Sequence, residues 1–197
     1  MSTKPKFDIR NPEYIVALGV TIISLCALVV SVLQTQIMKE ERELMREYSR
    51  ASVWPRLELS MSKSHDLKDG SVTQFALLIK NSGVGPAIIT DVRVAYNDAV
   101  SKNWWHLFEQ QNLPDSIETF VTNRKVNKNI IQSGETVEIL NLNDNLPLAN
   151  SFFGKLKGLS MDIYYESIYG EQWKYDGETT TKIENFEGLP EEEQFGS

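Results

Sequence analysis

The amino-acid sequence predicts a mainly β protein, in which a single N-terminal transmembrane helix and its helical extension precede an antiparallel β-sandwich. Three observations carry this prediction. Residues 14–33 form an uncharged apolar run, which as a helix spans roughly 30 Å, the thickness of a bilayer's hydrocarbon core. Residues 34–52 contain no Gly or Pro and are rich in helix formers. From residue 56 onwards, short segments alternate apolar and polar residues between turn signals, a pattern typical of sandwiches.

The apolar run predicts a membrane span at residues 14–34, after a flexible polar lead at residues 1–13. A buried helix of a soluble protein rarely carries Ile, Val, Leu and Ala on every face over this length. A cleaved signal peptide needs a shorter apolar core and a small-x-small cleavage site, which residues 31–34 (Ser-Val-Leu-Gln) fit poorly. We therefore expect a lipid bilayer to surround this segment.

Small residues recur along one face of the span, and two apolar residues lie one heptad apart in the charged juxtamembrane helix at residues 35–52. Small residues let two helices approach closely in lipid, and apolar residues seven apart can form a coiled-coil seam. Helix association into a homo-oligomer is one interpretation. A chance stripe followed by a solvated stalk is the other. The association candidates are Ala17, Thr21, Ser24, Ser31, Ile37 and Leu44.

Composition excludes several classes of function. The net charge of −7 argues against a nucleic-acid surface, because such a surface needs basic residues that face the phosphates. The lone Cys26 allows no disulfide framework, and no Cys/His cluster suggests zinc. His65 and His106 lie in no recognisable catalytic motif. We therefore predict no catalytic residues, no cofactor and no metal, and the sequence argues against an enzyme.

The predicted β-sandwich covers residues 53–177. Residues 53–55 (Val-Trp-Pro) end the helix, because Pro disfavours helical geometry in the residue before it. In the third predicted strand, the even-numbered positions from 88 to 96 share one side. One helical turn is expected within residues 145–157. The predicted strands are residues 57–61, 73–80, 88–96, 117–121, 135–142, 159–167 and 171–175.

The turn between the second and third strands reads Asn-Ser-Gly-Val-Gly-Pro-Ala from residue 81 to residue 87. A Gly-x-Gly after a strand suggests a nucleotide loop, but a strand follows instead of the helix N-terminus that would bind a phosphate. The alternative is a structural turn. In that interpretation Asn81 bonds its own backbone, Gly83 and Gly85 accept positive φ, and Pro86 fixes the exit into the next strand.

Residues 98–111 interrupt the strand pattern and predict a short helical insertion with Trp104, Trp105 and His106. One interpretation is that one Trp fills the end of the core while its neighbour covers the surface. The other is a partner-binding site, because exposed aromatic side chains anchor many protein interfaces. These three residues are the partner-binding candidates.

Charge outside the predicted sandwich bears on orientation and on the C-terminus. Three Lys or Arg residues precede the span and four follow it closely, and this small excess favours a cytoplasmic domain. Residues 123–129 form a basic patch, which is either a solvated loop or a contact with anionic headgroups. Residues 178–197 are predicted to be a flexible acidic tail, with docking to a basic partner as the alternative.

Five features occur in a characteristic order: the span, the charged helix, the Trp54-Pro55 entry, residues 80–87 and the hairpin around residues 164–170. In this order they resemble uncharacterised bacterial single-pass membrane proteins. The N-x-G-x-G-P-A turn is also similar to one in bacterial immunoglobulin-like adhesion-type domains. The resemblance implies an immunoglobulin-like sandwich anchored in the bacterial inner membrane, and it implies no activity.

These predictions together indicate a membrane-tethered protein-interaction module with an unidentified protein partner. Such a module suits an oligomerising accessory or effector subunit of a bacterial envelope or defence system, because tethering raises the effective concentration of its contacts. The alternative is a membrane-perturbing effector whose spans cluster when the domain binds a ligand.

Overall fold

The computed structural model describes residues 12–113, 122–123 and 126–196. It divides the chain into two compact units, residues 1–49 and residues 50–197. Several predictions lie outside the described residues: most of the N-terminal lead, the strand at residues 117–121, and Arg124 and Lys125 of the basic patch.

The apolar run and the charged segment after it form one helix, α1, from Pro12 to Ala51. None of its 40 residues is buried, and the helix is long and apolar enough to cross a membrane. Two of its polar side chains bond within the helix, since the Thr21 hydroxyl donates to the Ala17 carbonyl and the Thr35 hydroxyl to the Ser31 carbonyl, each at 2.8 Å. The small residues proposed for helix association are exposed.

The rest of the described chain is built mainly from antiparallel strands with two shorter helices. The helices are α2, Trp104–Gln110, and α3, Leu146–Gly154, and a 3-10 turn follows at Leu156–Gly158. The strands are β1 Leu57–His65, β2 Val72–Asn81, β3 Ala87–Tyr96, β4 Ala99–Ser101, β5 Thr122–Asn123, β6 Ile130–Ile131, β7 Thr136–Asn141, β8 Leu159–Glu166, β9 Gln172–Tyr175 and β10 Thr180–Ile183.

The described strands form two antiparallel sheets. The first has four strands in the order β1-β2-β7-β5, and the second has six, in the order β10-β9-β8-β3-β4 with β6 also paired to β3. One hydrophobic core takes side chains from both sheets, among them Phe75, Ile79 and Ile139 from the first and Val94, Ile163 and Tyr165 from the second. The prediction of an N-terminal apolar helix followed by antiparallel strands is thus confirmed.

Strand β3 differs from the predicted alternation. Its pairing with β8 shifts register between Ile89 and Asp91. Ala87 and Ile89 are buried before the shift, and Val92 and Val94 are buried after it. The predicted common face of the even-numbered positions is therefore wrong, because a bulge adds one residue and changes the phase of the alternation.

The insertion after β3 is only partly helical. Asn97 and Asp98 both have positive φ, 47° and 68°, and form a two-residue hairpin turn between β3 and β4. Helix α2 then starts after Asn103, whose side-chain oxygen accepts a hydrogen bond from the His106 backbone N–H at 2.9 Å. The predicted helix over residues 98–111 is thus a strand followed by a shorter helix, and α3 is longer than the single turn predicted.

The prediction of a flexible tail at residues 178–197 is wrong for the described residues. Strand β10 pairs with β9, and the segment after it, which we call the C-terminal strap (residues 184–196), is bonded to the domain. The Phe195 N–H donates to the Val92 carbonyl at 2.8 Å, and the Gly196 N–H donates to the Lys102 carbonyl at 2.7 Å. The Phe186 ring stacks on Tyr164 at 4.3 Å. Two aromatic side chains, the buried Phe195 and the half-buried Phe186, thus hold an otherwise acidic segment against the domain.

Candidate functional site

The two neighbouring tryptophans of α2 have different environments. The Trp104 side chain is buried, at 5% exposure, and its ring meets the Phe195 ring edge to face at 5.0 Å. Trp105 is 45% exposed and contacts the Phe108 ring from the side. His106 is half-buried, and its Nδ1 accepts a hydrogen bond from the Lys102 backbone N–H at 3.3 Å. One tryptophan therefore anchors the helix while the other remains available on the surface.

A cavity of about 280 Å³ lies beside α2, and we call it the α2 cavity. Both sheets contribute apolar walls through Ile79 and Ile139 on one side and Val92 and Met161 on the other. The two tryptophans, Asn103 and the end of the C-terminal strap complete much of the lining. None of the described lining residues is charged. The cavity is thus an apolar space with an aromatic rim.

Asn127 is the feature of this cavity that the sequence did not predict. The residue lines the cavity and is only 5% exposed, and its Oδ1 is buried without a hydrogen-bond partner. Buried polar atoms in folded proteins nearly always have a partner, so such an atom calls for an explanation. No sequence signal could have found it, because an Asn among polar residues 123–129 is typical of an ordinary loop.

A second buried amide near α2 has unpartnered atoms but does not line the cavity. Gln111 lies at the C-terminal cap of α2, and neither its Nε2 nor its Oε1 has a hydrogen-bond partner. Its backbone carbonyl accepts a hydrogen bond from the Lys155 ammonium group. The unpartnered Gln111 amide therefore lowers the stability of the fold. Gln111 is not among the residues that line the α2 cavity.

The C-terminal strap is also held to the outer face of β3. The Arg93 guanidinium forms an ion pair with the Glu193 carboxylate at 3.1 Å. The buried Asp91 carboxyl accepts a hydrogen bond from the Leu189 backbone. Burial raises the pKa of Asp91 above its ordinary value of 3.8, and this hydrogen bond and the charge of Lys128 act in the opposite direction. The strap thus covers a carboxyl group that is costly to ionise.

The turn at residues 81–87 is built around a fully buried Asn81. Its Nδ2 donates to the Gly85 carbonyl at 2.8 Å and to the Ile131 carbonyl at 3.0 Å. Its Oδ1 accepts from the backbone N–H groups of Gly83 at 3.0 Å and Arg56 at 3.2 Å. This one side chain therefore connects the turn to the start of β1 and to β6.

The glycines of this turn are needed for a reason other than the one predicted. Neither Gly83 nor Gly85 has a positive φ. A Cβ atom at Gly83 would overlap the backbone at Trp54 and Arg56, and one at Gly85 would overlap the Val53 carbonyl. The predicted positive φ is wrong, and close backbone approach explains the glycines. Pro86 stands directly before β3.

His65 and the acidic residues of the described chain are not among the residues that line the α2 cavity. His65 ends β1, its Nδ1 lies 3.2 Å from the Gly70 carbonyl oxygen, and its ring contacts Phe153. Among the residues described here, no three His, Cys, Asp or Glu side chains form a group that could hold a metal ion.

One protein-family model matches residues 14–187, and its description is Domain of unknown function (DUF8453). The chain belongs to this family. The match runs from the apolar part of α1 through both sheets and α2, and it ends within the C-terminal strap. Comparison with curated proteins found no match.

In this family member, the matched residues include both tryptophans of α2 and Asn127, whereas Phe195 and Gly196 lie beyond them. The cavity is therefore lined partly by the matched region and partly by the end of the strap.

Proposed function

We propose that this protein is a single-pass membrane protein whose immunoglobulin-like β-sandwich binds a protein partner through the exposed side of α2. The observation that carries the anchoring is the exposure of α1, in which none of the 40 residues is buried although most of its first half is apolar. Water would penalise this surface by about 25 cal/mol per Å². A bilayer removes that penalty, and the helix has the length to cross one.

The partner surface that we propose is Trp105 together with His106. Trp105 is 45% exposed on a short helix whose other aromatic residues, Trp104 and Phe108, are buried. The Asn103 cap and these buried neighbours hold the helix in place before any partner arrives. A large aromatic side chain on a preorganised support loses little entropy on binding and is a frequent hot spot.

We further propose that the spans associate and that the domain faces the cytoplasm of a bacterial cell. Ala17, Thr21, Ser24 and Ser31 offer a face of small residues, and Ile37 and Leu44 are exposed beyond it. Association in the plane of the membrane raises the effective concentration of the domains, so weak contacts at Trp105 suffice. This supports an accessory or effector subunit of an envelope or defence system.

The test combines topology with site-directed cross-linking in cells. Reporter fusions after residue 197 establish which side of the membrane carries the domain. A photo-cross-linking amino acid replaces Trp105 in one strain and Tyr169 in another, because Tyr169 is 46% exposed on the turn between β8 and β9 and serves as the matched aromatic control. We expect a defined adduct from position 105 alone. A domain released from membranes, or equal adducts from both positions, would contradict the proposal.

A further inference from the structure

We propose that β1 pairs with β1 of a second copy of this chain, antiparallel and edge to edge, about a two-fold axis at Ser62. The four-stranded sheet of one copy then continues into that of the other. This goes beyond the proposed function, which assigns self-association to the spans and partner binding to Trp105. Three observations carry the inference: the free side of β1, the absence of the usual edge protection there, and the register that the free backbone groups allow.

Strand β1 is an edge strand with one free side. It stands first in its sheet, and β2 is its one pairing partner among the described strands. The Ser82 N–H donates to the Arg56 carbonyl at 2.8 Å, so Arg56 and every second residue after it face β2. The intervening residues turn their backbone N–H and carbonyl groups to the free side. They are Leu57, Leu59, Met61 and Lys63.

The first part of the free side is already covered. The Leu59 N–H donates to the Tyr175 hydroxyl at 3.1 Å, and this hydroxyl donates to the Gly177 carbonyl at 2.8 Å. The turn after β9 thus lies over the edge at Leu59. In the described part of the chain, the backbone groups of Met61 and Lys63 make no hydrogen bond on the free side. The N–H and carbonyl groups of these two residues therefore face water.

This stretch lacks the features that usually protect an exposed edge, which are charges, prolines and bulges. Residues 59–64 contain no proline, and the bulge of β1 lies after them, between Ser64 and His65. The one charged side chain in this stretch is Lys63. Its ammonium group lies 4.7 Å from the centre of the Phe153 ring, and this cation–π contact holds the charge against the domain. The edge is thus open to another strand.

The free backbone groups select one register. An axis at Ser62 places Met61 opposite Lys63 of the second copy, and such a pair exchanges both of its backbone hydrogen bonds. An axis at Ser60 or Met61 would need the Leu59 N–H, which is already bonded. An axis at Lys63 would place two lysines directly opposite each other, which is destabilising, and an axis further along meets the bulge. The axis at Ser62 avoids all of these costs.

Small side chains border the contact on the outer face of the sheet. Ser60, Ser62 and Ser64 are all exposed. In this register Ser62 meets its own counterpart, and Ser60 meets Ser64. Backbone hydrogen bonds contribute little net free energy, so the contact is weak in free solution. The proposed anchoring of both copies in one membrane raises their effective concentration and favours the pairing.

The test is disulfide cross-linking of single cysteines in membranes that contain the full chain. Cys26→Ala removes the native cysteine, and Ser60→Cys, Ser62→Cys and Ser64→Cys are then made one at a time. At the axis the two Cα atoms should lie about 4.5 Å apart, a distance that a disulfide bridges. The two copies of residue 60, and likewise of residue 64, are offset by four residues, which is about 13 Å along the strands.

We expect oxidation with copper phenanthroline to link Ser62→Cys into a dimer at least about ten-fold more efficiently than either other variant alone. Co-expression of the Ser60→Cys and Ser64→Cys chains should restore the dimer, because those positions face each other. Met61→Pro in the Ser62→Cys chain should abolish the dimer, because proline has no N–H to donate. The single domain should tolerate this change, since the Met61 N–H points away from β2.

Three results would overturn the proposal: no dimer from Ser62→Cys, equal dimer from the three single-cysteine variants, or an undiminished dimer after Met61→Pro. Near-ultraviolet circular dichroism of the purified chain checks that each variant is folded. If Met61→Pro does not fold, Ser62→Glu in the co-expressed pair decides. It places two carboxylates opposite each other at the axis, so an undiminished dimer in that pair would also overturn the proposal.

The membrane and soluble fractions are both scored for the dimer, which separates this proposal from the proposed function. A chain in the soluble fraction contradicts the anchoring. A missing Ser62→Cys dimer in either fraction contradicts the pairing of β1.

Discussion

Two buried asparagines of the β domain, Asn81 and Asn127, differ in how their amides are satisfied. Both side chains are almost completely removed from solvent. The Asn81 amide makes four hydrogen bonds to backbone groups, whereas Asn127 Oδ1 makes none. Burial alone therefore does not reveal the role of a polar side chain. The hydrogen bonds of that side chain reveal whether it stabilises the fold.

The energetic consequences point in opposite directions. Each satisfied hydrogen bond contributes about 1 kcal/mol to stability, and an unsatisfied buried acceptor costs about 1–3 kcal/mol. Asn81 thus stabilises the entry of the chain into the domain. Asn127 destabilises the domain, because its buried acceptor has no hydrogen-bond partner.

The largest expected effect comes from the turn that Asn81 supports. Gly85→Ala places a Cβ against the Val53 backbone, which cannot move aside as a side chain would. We expect a loss of more than about 4 kcal/mol, or no cooperative unfolding at all. Thermal unfolding of the full chain in nanodiscs, followed by tryptophan fluorescence, measures it. The control is Gly154→Ala, where a Cβ meets no atom within 4 Å, and equal losses in both variants would refute the close-approach argument.

Removal of the Asn81 amide should have the next largest effect. Asn81→Leu keeps the volume but leaves the carbonyls of Gly85 and Ile131 and the N–H groups of Arg56 and Gly83 without this partner. We expect a loss of about 3 kcal/mol, measured by denaturant unfolding. A loss below about 1 kcal/mol would show that water replaces the amide.

The wall of the α2 cavity gives a smaller effect. Phe195→Ala removes the ring that meets Trp104 at 5.0 Å and enlarges the cavity. We expect a loss of about 2 kcal/mol, below the usual range for a central core Phe because Phe195 is 9% exposed. Proteolysis after residue 183 should become faster in this variant. The control is Phe186→Ala, which removes a ring of the strap that stacks on Tyr164 but does not line the cavity. It distinguishes the effect of a larger cavity from the effect of a weaker strap attachment.

Asn127→Leu is the direct counterpart of Asn81→Leu and should act in the opposite direction. It replaces a buried, unpartnered acceptor with an apolar side chain, so we expect a gain of about 1 kcal/mol. Unfolding under the same conditions as for Asn81→Leu measures the difference. A loss of similar size in both variants would mean that the two asparagines do not differ in role.

Asp91 provides a third buried polar side chain and a dependence on pH. Its raised pKa means that the folded state holds the proton more tightly than the unfolded state. The stability from protonated Asp91 is present below pH 3.8 and is lost as pH rises through the folded-state pKa. Asp91→Asn removes this loss. The melting temperature of the variant minus that of the unmodified chain should therefore be near zero at low pH and positive at pH 7, and a constant difference would contradict this.

Much of the fold is predictable from local sequence patterns. The uncharged run at residues 14–33 and the charged segment after it predict α1, and alternating residues predict strands close to β1, β2, β7, β8 and β9. The sequence does not predict the bulge in β3, because the position of the bulge depends on pairing with β8. Asn97 and Asp98 have the residue types of a tight hairpin turn, and the predicted helix over residues 98–111 does not take this local signal into account.

Only part of the candidate site is predictable from the sequence. The adjacent Trp104 and Trp105 predict one buried and one exposed ring in one interpretation and a binding surface in the other, and the pattern alone does not choose between them. The acidic neighbours of Phe195 predict a solvated tail. Its contact with Trp104 joins residues far apart in the sequence, and only the packed domain brings them together.

The sequence by itself determined the long apolar helix, the strand character of most of the domain and the need for a special turn at residues 81–87. Each of these depends on residues within a few positions of one another, where backbone geometry couples to side-chain type. The tertiary structure decided that Gly85 faces Val53, that Phe195 closes a cavity and that Asn127 Oδ1 has no donor. Those contacts depend on which segments, distant in the sequence, pack around a given atom. Local periodicity contains no information about that packing.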